Sequence, residues 1–185
     1  MLTSRLVALR EVTPSDLGPL VDLLSLADAS RFGGDDPEIA VAAQRLIDAA
    51  PGDRANGTAF TYAITHASTR AFIGVIRVRQ LDAAFEVADC DCTIAPSSRG
   101  SGVFLDAARL VGSFAFGAVG VHRIESRVPV HNGRGNGAMR KLGAVEEGVL
   151  RRSARRGGAY VDQVLWSMIK DDWGDHWVSI APRVH

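Results

Sequence analysis

Phe60, Tyr62 and Ile64, and after them the apolar positions of residues 72–80 and 86–94, recur at a period of two. Of all the features in this chain, that run constrains the fold most. A period of two makes strands with one buried face. The links between the runs, at residues 66–70 and 81–84, are too short to hold a crossover helix. The strands must therefore pair antiparallel, as a meander.

What flanks the meander has a different period. Residues 5–9 read as a short strand, and Thr13, Pro14 and Asp16 then supply a helix N-cap, a proline at the first helical position and a first-turn acid. Leu17, Leu20, Val21, Leu23 and Leu24 follow at helical spacing. Residues 32–36 (FGGDD) read as a loop, and residues 39–50 as a second helix ended by Pro51, Gly52 and Asp53. Beyond the meander, residues 96–102 (PSSRGSG) break the pattern. A helix with Val103, Ala107, Leu110, Val111 and Phe114 on one face comes next, and after Gly120 residues 123–130 return to a strand. That order is one crossover unit, expected to be right-handed. Residues 137–142 form a short helix capped by Gly143. Strands at 148–153 and 160–169 flank an Arg155-Arg156-Gly157-Gly158 hairpin, and the tail after Asp171 carries Trp173 and Trp177. The expectation is one mixed α/β domain spanning residues 1–185.

Charge and composition exclude several classes. The chain is 46% hydrophobic and 23% charged, with 21 Lys plus Arg against 21 Asp plus Glu, a formal net charge of zero. A nucleic-acid binder would need surplus cations facing phosphates, so no nucleic-acid partner is expected. No apolar run reaches the ~18 residues of a membrane span. The first residues, with Arg5, Arg10 and Glu11, have no signal-peptide pattern, and the expected compartment is the cytoplasm. Cys90 and Cys92, at i and i+2 on one strand, suit neither a disulfide nor a zinc site and read as small buried hydrophobes. No metal is expected.

The chemistry concentrates at Arg99-Gly100-Ser101-Gly102-Val103, between a strand and a helix. A glycine turn there exposes N–H groups beside a helix N-terminus, where unpaired donors and the helix dipole favour an anion. Arg99 adds charge. The stretch is neither a Walker P-loop nor a GxGxxG dinucleotide motif. Taken with Ile94-Ala95-Pro96 before it, it resembles the acetyl-CoA pyrophosphate loop of the GNAT acetyltransferases. Residues 121–128 (VHRIESRV), Asn132, Lys141-Leu142-Gly143-Ala144, residues 147–151 (EGVLR) and residues 158–162 (GAYVD) are similar to the second half of the RimJ/RimL group. That group comprises ribosomal-protein N-terminal acetyltransferases and their relatives. Residues 3–16 are similar as well. The likeness runs from Asp89 to Trp173 and is weakest between Ser25 and Ala59.

The resemblance implies a GNAT fold: a mostly antiparallel sheet, splayed in its middle, with helices on both faces. It implies an N-acetyltransferase with acetyl-CoA as donor. The acceptor would be a primary amine, either a protein N-terminus or a small molecule, and its neutral form would attack the thioester directly. Main-chain groups of Thr93, Ile94 and Ala95 would hold the pantetheine. Those of Gly100, Ser101, Gly102, Val103 and Phe104 would hold the pyrophosphate. Asn132 would contact the pantetheine or orient the thioester.

Several positions depart from the family pattern, Asp91 in place of a common glycine among them. Phe104 stands where a small residue is usual, Gly135 replaces the serine of Asn-x-x-Ser, Met139 replaces a common tyrosine, and Ala144 an aromatic. No standard proton donor for the leaving thiolate is therefore evident. Candidates for the base are Asp89, Asp91 and Glu125, the first two on one strand face. Each is equally readable as an acid paired with an arginine, and water-mediated deprotonation is a further route. Arg151, Arg152, Arg155 and Arg156 read as a solvated hairpin face rather than a phosphate contact, and His131 as a loop residue. Tyr160 and Asp162 either line the acceptor side or pack the hairpin. A homodimer through a sheet edge or the tail is compatible with the sequence. The competing function is a non-catalytic acyl-CoA sensor or docking module; a longer acyl donor is a third reading.

Overall fold

The computed structural model describes residues 1–26, 37–156 and 158–174. The expected 32–36 loop, Gly157 and Trp177 lie outside them. The strand expected at 5–9 lies at Val7–Glu11 (β2), and an unexpected short strand, Leu2–Thr3 (β1), pairs antiparallel with it, Leu2 opposite Leu9. Ser4 makes the turn between them: its Oγ accepts the Leu6 and Val7 N–H groups at 3.3 and 3.1 Å and donates to Asp106 Oδ2 at 2.8 Å. Residues 5 and 6 are thus drawn out of the strand.

Leu17–Ser25 (α1) follows the expected Thr13-Pro14 start signal, whose Asp16 is gripped by Arg10 at 2.7 and 2.6 Å. Pro37–Ala55 (α2) overruns its predicted stop and carries Pro51 inside it. An interior proline costs about 3 kcal/mol, so tertiary contacts must hold the last turn. Arg54 pairs with Glu11 at 3.1 Å and lies over the rings of Phe60 and Tyr62 at 5.1 and 5.0 Å. Asp53 bonds Arg77 at 2.9 Å.

Ala59–His66 (β3), Phe72–Gln80 (β4) and Val87–Ile94 (β5) form the expected antiparallel meander. Val103–Phe114 (α3) then crosses over to Arg123–Pro129 (β6), which runs parallel to β5. Gly133–Leu142 (α4) starts earlier than expected, because Asn132 caps it. Val145–Arg156 (β7), Ala159–Ile169 (β8) and Lys170–Gly174 (α5) complete the described chain. β7 is longer than predicted because it tolerates register breaks after Glu146 and Leu150. The eight strands make one sheet in the order β1-β2-β3-β4-β5-β6-β8-β7, antiparallel except where β5 meets β6.

Strand alternation sends side chains to two cores. Val7, Leu9, Ile64, Ile76, Val78 and Ala88 pack against the apolar face of α3, through Val103, Ala107, Leu110 and Val111. Ala63 and Val75 face the other way, onto Leu20 and Leu23 of α1 and Ala43 and Ile47 of α2. Helices therefore cover both faces, as expected. Each large side chain fully buried this way contributes about 1.5–3 kcal/mol. Cys90 and Cys92 pack against the α3 core, and burial raises both thiol pKa values, so they stay protonated.

Candidate active site

β5 is paired with β4 from Gln80↔Ala88 to Gly74↔Ile94, and β6 with β8 from Arg123↔Ile169 to Pro129↔Gln163. Between β5 and β6 themselves the register covers only Val87↔Arg123, Ala88↔Ile124 and Asp89↔Glu125. Past Asp89 the two strands diverge, each held by its outer neighbour. The Ser126 hydroxyl bridges the apex, donating to the Cys90 carbonyl at 2.8 Å.

Ladder alternation decides which main-chain groups face the gap. The Ala95 N–H donates to Ile73 at 2.9 Å, so Thr93 and Ala95 turn their polar groups toward β4. Cys90, Cys92 and Ile94 turn theirs toward β6. The Ile94 carbonyl accepts Arg99 Nε at 3.0 Å, which ties the glycine turn to the end of β5.

Gly100 and Gly102 both take positive φ, 81° and 90°, a region that costs other residues strain. Gly102 is the N-cap of α3 and, lacking a side chain, caps nothing. The only first-turn acid, Asp106, is turned away to Ser4 and the Leu6 N–H. Free N–H groups and an uncompensated dipole therefore meet at the mouth of the gap. Val103 is buried, and Phe104 packs between the α3 core and a smaller cluster of Met139, Val164 and Trp166. Its bulk points inward, away from the turn.

The three candidate acids separate clearly. Asp89 is buried and accepts from Arg79 of β4 at 2.9 Å and from Arg127 of β6 at 3.0 Å. Glu125 accepts from Arg127 at 3.0 Å and from Arg123 at 3.1 Å, and Arg123 continues to Glu147 of β7 at 2.7 Å. Asp89 thus joins β4, β5 and β6, while Glu125 spaces two arginines along β6. Asp91 stands opposite Arg77, but Arg77 is taken by Asp53 at 2.9 Å, and among the described residues Asp91 makes no hydrogen bond or ion pair. Solvent reaches its side chain although protein atoms crowd it on most sides. Loss of hydration pushes its pKa up to about 6; the Asp89 charge adds to the push, while Arg77 and Arg79 oppose it.

Asn132 is exposed, and its Oδ1 accepts the Gly135 N–H at 2.9 Å, leaving the amide Nδ2 available at the start of α4. Behind it lies a residue that the sequence reading did not single out. Buried Asn136 donates Nδ2 to the carbonyls of Pro129 and Asn132, both at 3.0 Å, and accepts Trp166 Nε1 at 2.9 Å. It fixes the turn that presents Asn132. Asp162 Oδ1 accepts the Arg152 N–H at 2.8 Å, a hairpin-packing bond, and Tyr160, Arg151 and Arg155 are exposed. Among the described residues no group of His, Cys, Asp and Glu could hold a metal ion, and no helix is long and apolar enough to cross a membrane.

The acetyltransferase (GNAT) domain family matches residues 6–145. The chain belongs to the GNAT acetyltransferases. Its curated relatives include the uncharacterized N-acetyltransferase YoaA of Bacillus subtilis, 26% identical over 169 residues, which are 91% of this chain and 95% of that one. Among solved structures, Mycobacterium smegmatis RimJ in complex with CoA-disulfide has a TM-score of 0.79 at 22% identity, covering 91% of this chain and 86% of that one. The spermidine N-acetyltransferase of Vibrio cholerae in complex with CoA and spermine has a TM-score of 0.76 at 18% identity, covering 90% and 97%. Both establish likeness of fold. As a GNAT acetyltransferase the chain is an enzyme, and the expected splayed sheet is the one observed.

Around the candidate acids of this GNAT chain, Arg79, Ser126 and Asn136 are residues that sequence reasoning passed over, whereas Arg127 stands where it was weighed, as a partner of Glu125. One signal was present: Arg77 and Arg79 alternate along β4 as Asp89 and Asp91 alternate along β5, and antiparallel pairing sets them opposite each other. Ser126 and Asn136 left no such trace, since their partners are main-chain carbonyls and an indole distant in sequence.

Proposed function

We propose that this GNAT chain transfers an acetyl group from acetyl-CoA to a primary amine by direct attack of the neutral amine on the thioester. The observation that carries the reading is the divergence of β5 and β6 beyond Asp89, which opens main-chain groups beside an uncapped helix start. The N–H groups from Gly100 to Phe104 suit the pyrophosphate, with the α3 dipole behind them. Cys92 and Ile94 offer main-chain groups along the gap for the pantetheine, with Thr93 and Ala95 holding that strand to β4. Asn132, whose Oδ1 is taken by the Gly135 N–H, would offer its Nδ2 to the pantetheine or the thioester. The two thiols, free and kept protonated by burial, fit a reducing cytoplasm.

Asp91 is the acid free to act as base. With a pKa pushed to about 6 it is ionised at neutral pH, and it receives the amine's proton directly or through water. An α-amino group, near 7.7–8.0, lies about two pH units above it, and a lysine amine about four. That ordering favours an α-amine acceptor such as a peptide N-terminus. Position 135 has no side chain and Met139 is buried, so the departing thiolate takes its proton from solvent.

The lack of a protein acid is also what a non-catalytic acyl-CoA sensor would show. Calorimetric titration with acetyl-CoA, followed by a free-thiol assay over amines and N-terminal peptides, separates the two. Binding with thiol release is expected; binding without release on any acceptor supports the sensor, and absence of binding overturns both.

A further inference from the structure

We infer that Ser126 sets the depth of the β5–β6 cleft and so restricts the acyl donor to a short chain; this rests on the acetyl-CoA reading above. In a parallel ladder evenly spaced main-chain bonds tie the strands at successive rungs. Here the rungs end with Asp89 opposite Glu125. The next position sets Cys90 against Ser126. There the Cys90 carbonyl, turned toward β6, takes the Ser126 hydroxyl at 2.8 Å in place of another main-chain rung. One side chain thus extends the closed region of the sheet by a residue. Beyond it, among the described residues, no hydrogen bond joins positions 91–94 to β6.

The floor has two layers. Ser126 shares a strand face with Ile124, which packs in the α3 core, and Val128, which packs with Phe104. That is the side from which the open end of α3 addresses the gap. On the opposite face, Arg127 reaches back to Asp89 at 3.0 Å and closes the floor from the acceptor side. A thioester lying along Cys92 and Ile94 points its acyl end at the Ser126 bridge. An acetyl group ends above it, and each further methylene has to enter where the hydroxyl holds the strands together. Removing the hydroxyl frees the carbonyl and lets the cleft deepen by a residue, about 3.3 Å.

The test is calorimetric titration of the full chain with acetyl-, propionyl- and butyryl-CoA, which needs no acceptor. The quantity read is the ratio of butyryl- to acetyl-CoA dissociation constants. Wild type is expected to favour acetyl-CoA by about a hundredfold, about tenfold for each of the two added methylenes at a tight wall. Ser126→Ala should erase most of that preference, and Ser126→Thr, which keeps the hydroxyl, should retain it. Should the alanine variant not fold, Ser126→Cys, similar in size but a weak donor, reads the same ratio. A purely structural Ser126 would lower the melting temperature and weaken all three donors alike; an unmoved ratio overturns the inference alone. A wild type that binds no acetyl-CoA overturns the cofactor reading, and the inference falls with it.

Discussion

A Cβ built at Gly135 falls 2.7 Å from Asn132 Nδ2 and 2.9 Å from Val128 Cγ1. Glycine at 135 and the capping pose of Asn132 are therefore one feature. The Asn132 Oδ1 caps α4 through the Gly135 N–H itself, at 2.9 Å, and the amide lies flat over a position that must stay bare. Restoring the serine of the related Asn-x-x-Ser pattern would push Asn132 aside. Gly135→Ser should lower stability by about 1 kcal/mol, the worth of an N-cap, as read by urea unfolding. Acetyl-CoA affinity should fall in the same variant.

Gly102→Val should cost both stability and cofactor binding. Its φ of 90° is strained for a β-branched residue, and the new Cβ would meet Leu6 Cδ1 at 3.3 Å. The left-handed conformation alone costs about 1–2 kcal/mol. Thermal melting should show that loss, and calorimetry a fall of about tenfold in acetyl-CoA affinity or more, since ~1.4 kcal/mol is tenfold. Unchanged affinity would remove the turn from the cofactor site.

Asp91 makes activity and stability respond to pH in opposite senses. As a base with a pKa of about 6 it should make turnover rise as pH increases through that value, and Asp91→Asn should flatten the profile at a low rate. In the unfolded chain the carboxyl returns to its ordinary 3.8, so the folded state holds the proton more tightly. The stability this group contributes is present below 3.8 and is lost as pH rises through about 6. Asp91→Asn should therefore melt higher than wild type at about pH 8 and no differently at about pH 3. Because the Asp89 charge helps raise Asp91, Asp89→Asn should move the activity midpoint downward in whatever fraction remains folded.

Asn136→Ala should be the most damaging single change in α4. It strands the Trp166 N–H inside the protein and takes the side-chain donor from the carbonyls of Pro129 and Asn132, which keep only their main-chain N–H partners. Each buried group left without a partner costs about 1–3 kcal/mol. Urea unfolding should show a loss of at least that size, whereas the exposed Arg134→Ala should show almost none.

The meander, the glycine turn and the α3 face were legible because each follows from a short-range rule: a period of two, a turn chemistry, a period of 3.6. The overrun of α2 was not. Pro51 is a local stop signal, and what defeats it, Arg54 over Phe60 and Tyr62, belongs to strands that the helix has yet to meet. The extra length of β7 was hidden for a similar reason, since its register breaks at Glu146 and Leu150 blur the alternation. At the site, the sequence supplied three acids without a ranking. Strand alternation already set Glu125 beside Arg123 and Arg127, but only the sheet registers reveal that Asp89 meets Arg79 and Arg127 and that Asp91 is left over.

The far wall of the cleft carries a schedule in its topology. β6 is flanked by β5 over three residue pairs only, and its full-length neighbour is β8, which slots between β6 and β7. During synthesis β6 and β7 leave the ribosome with the place between them vacant, and each waits for a strand translated later. Up to that moment the half of the protein that carries the glycine turn can assemble, while the wall opposite it cannot. A nascent chain halted before Ala159 would expose two unfilled strand edges, and its active site would come into being only with the arrival of β8.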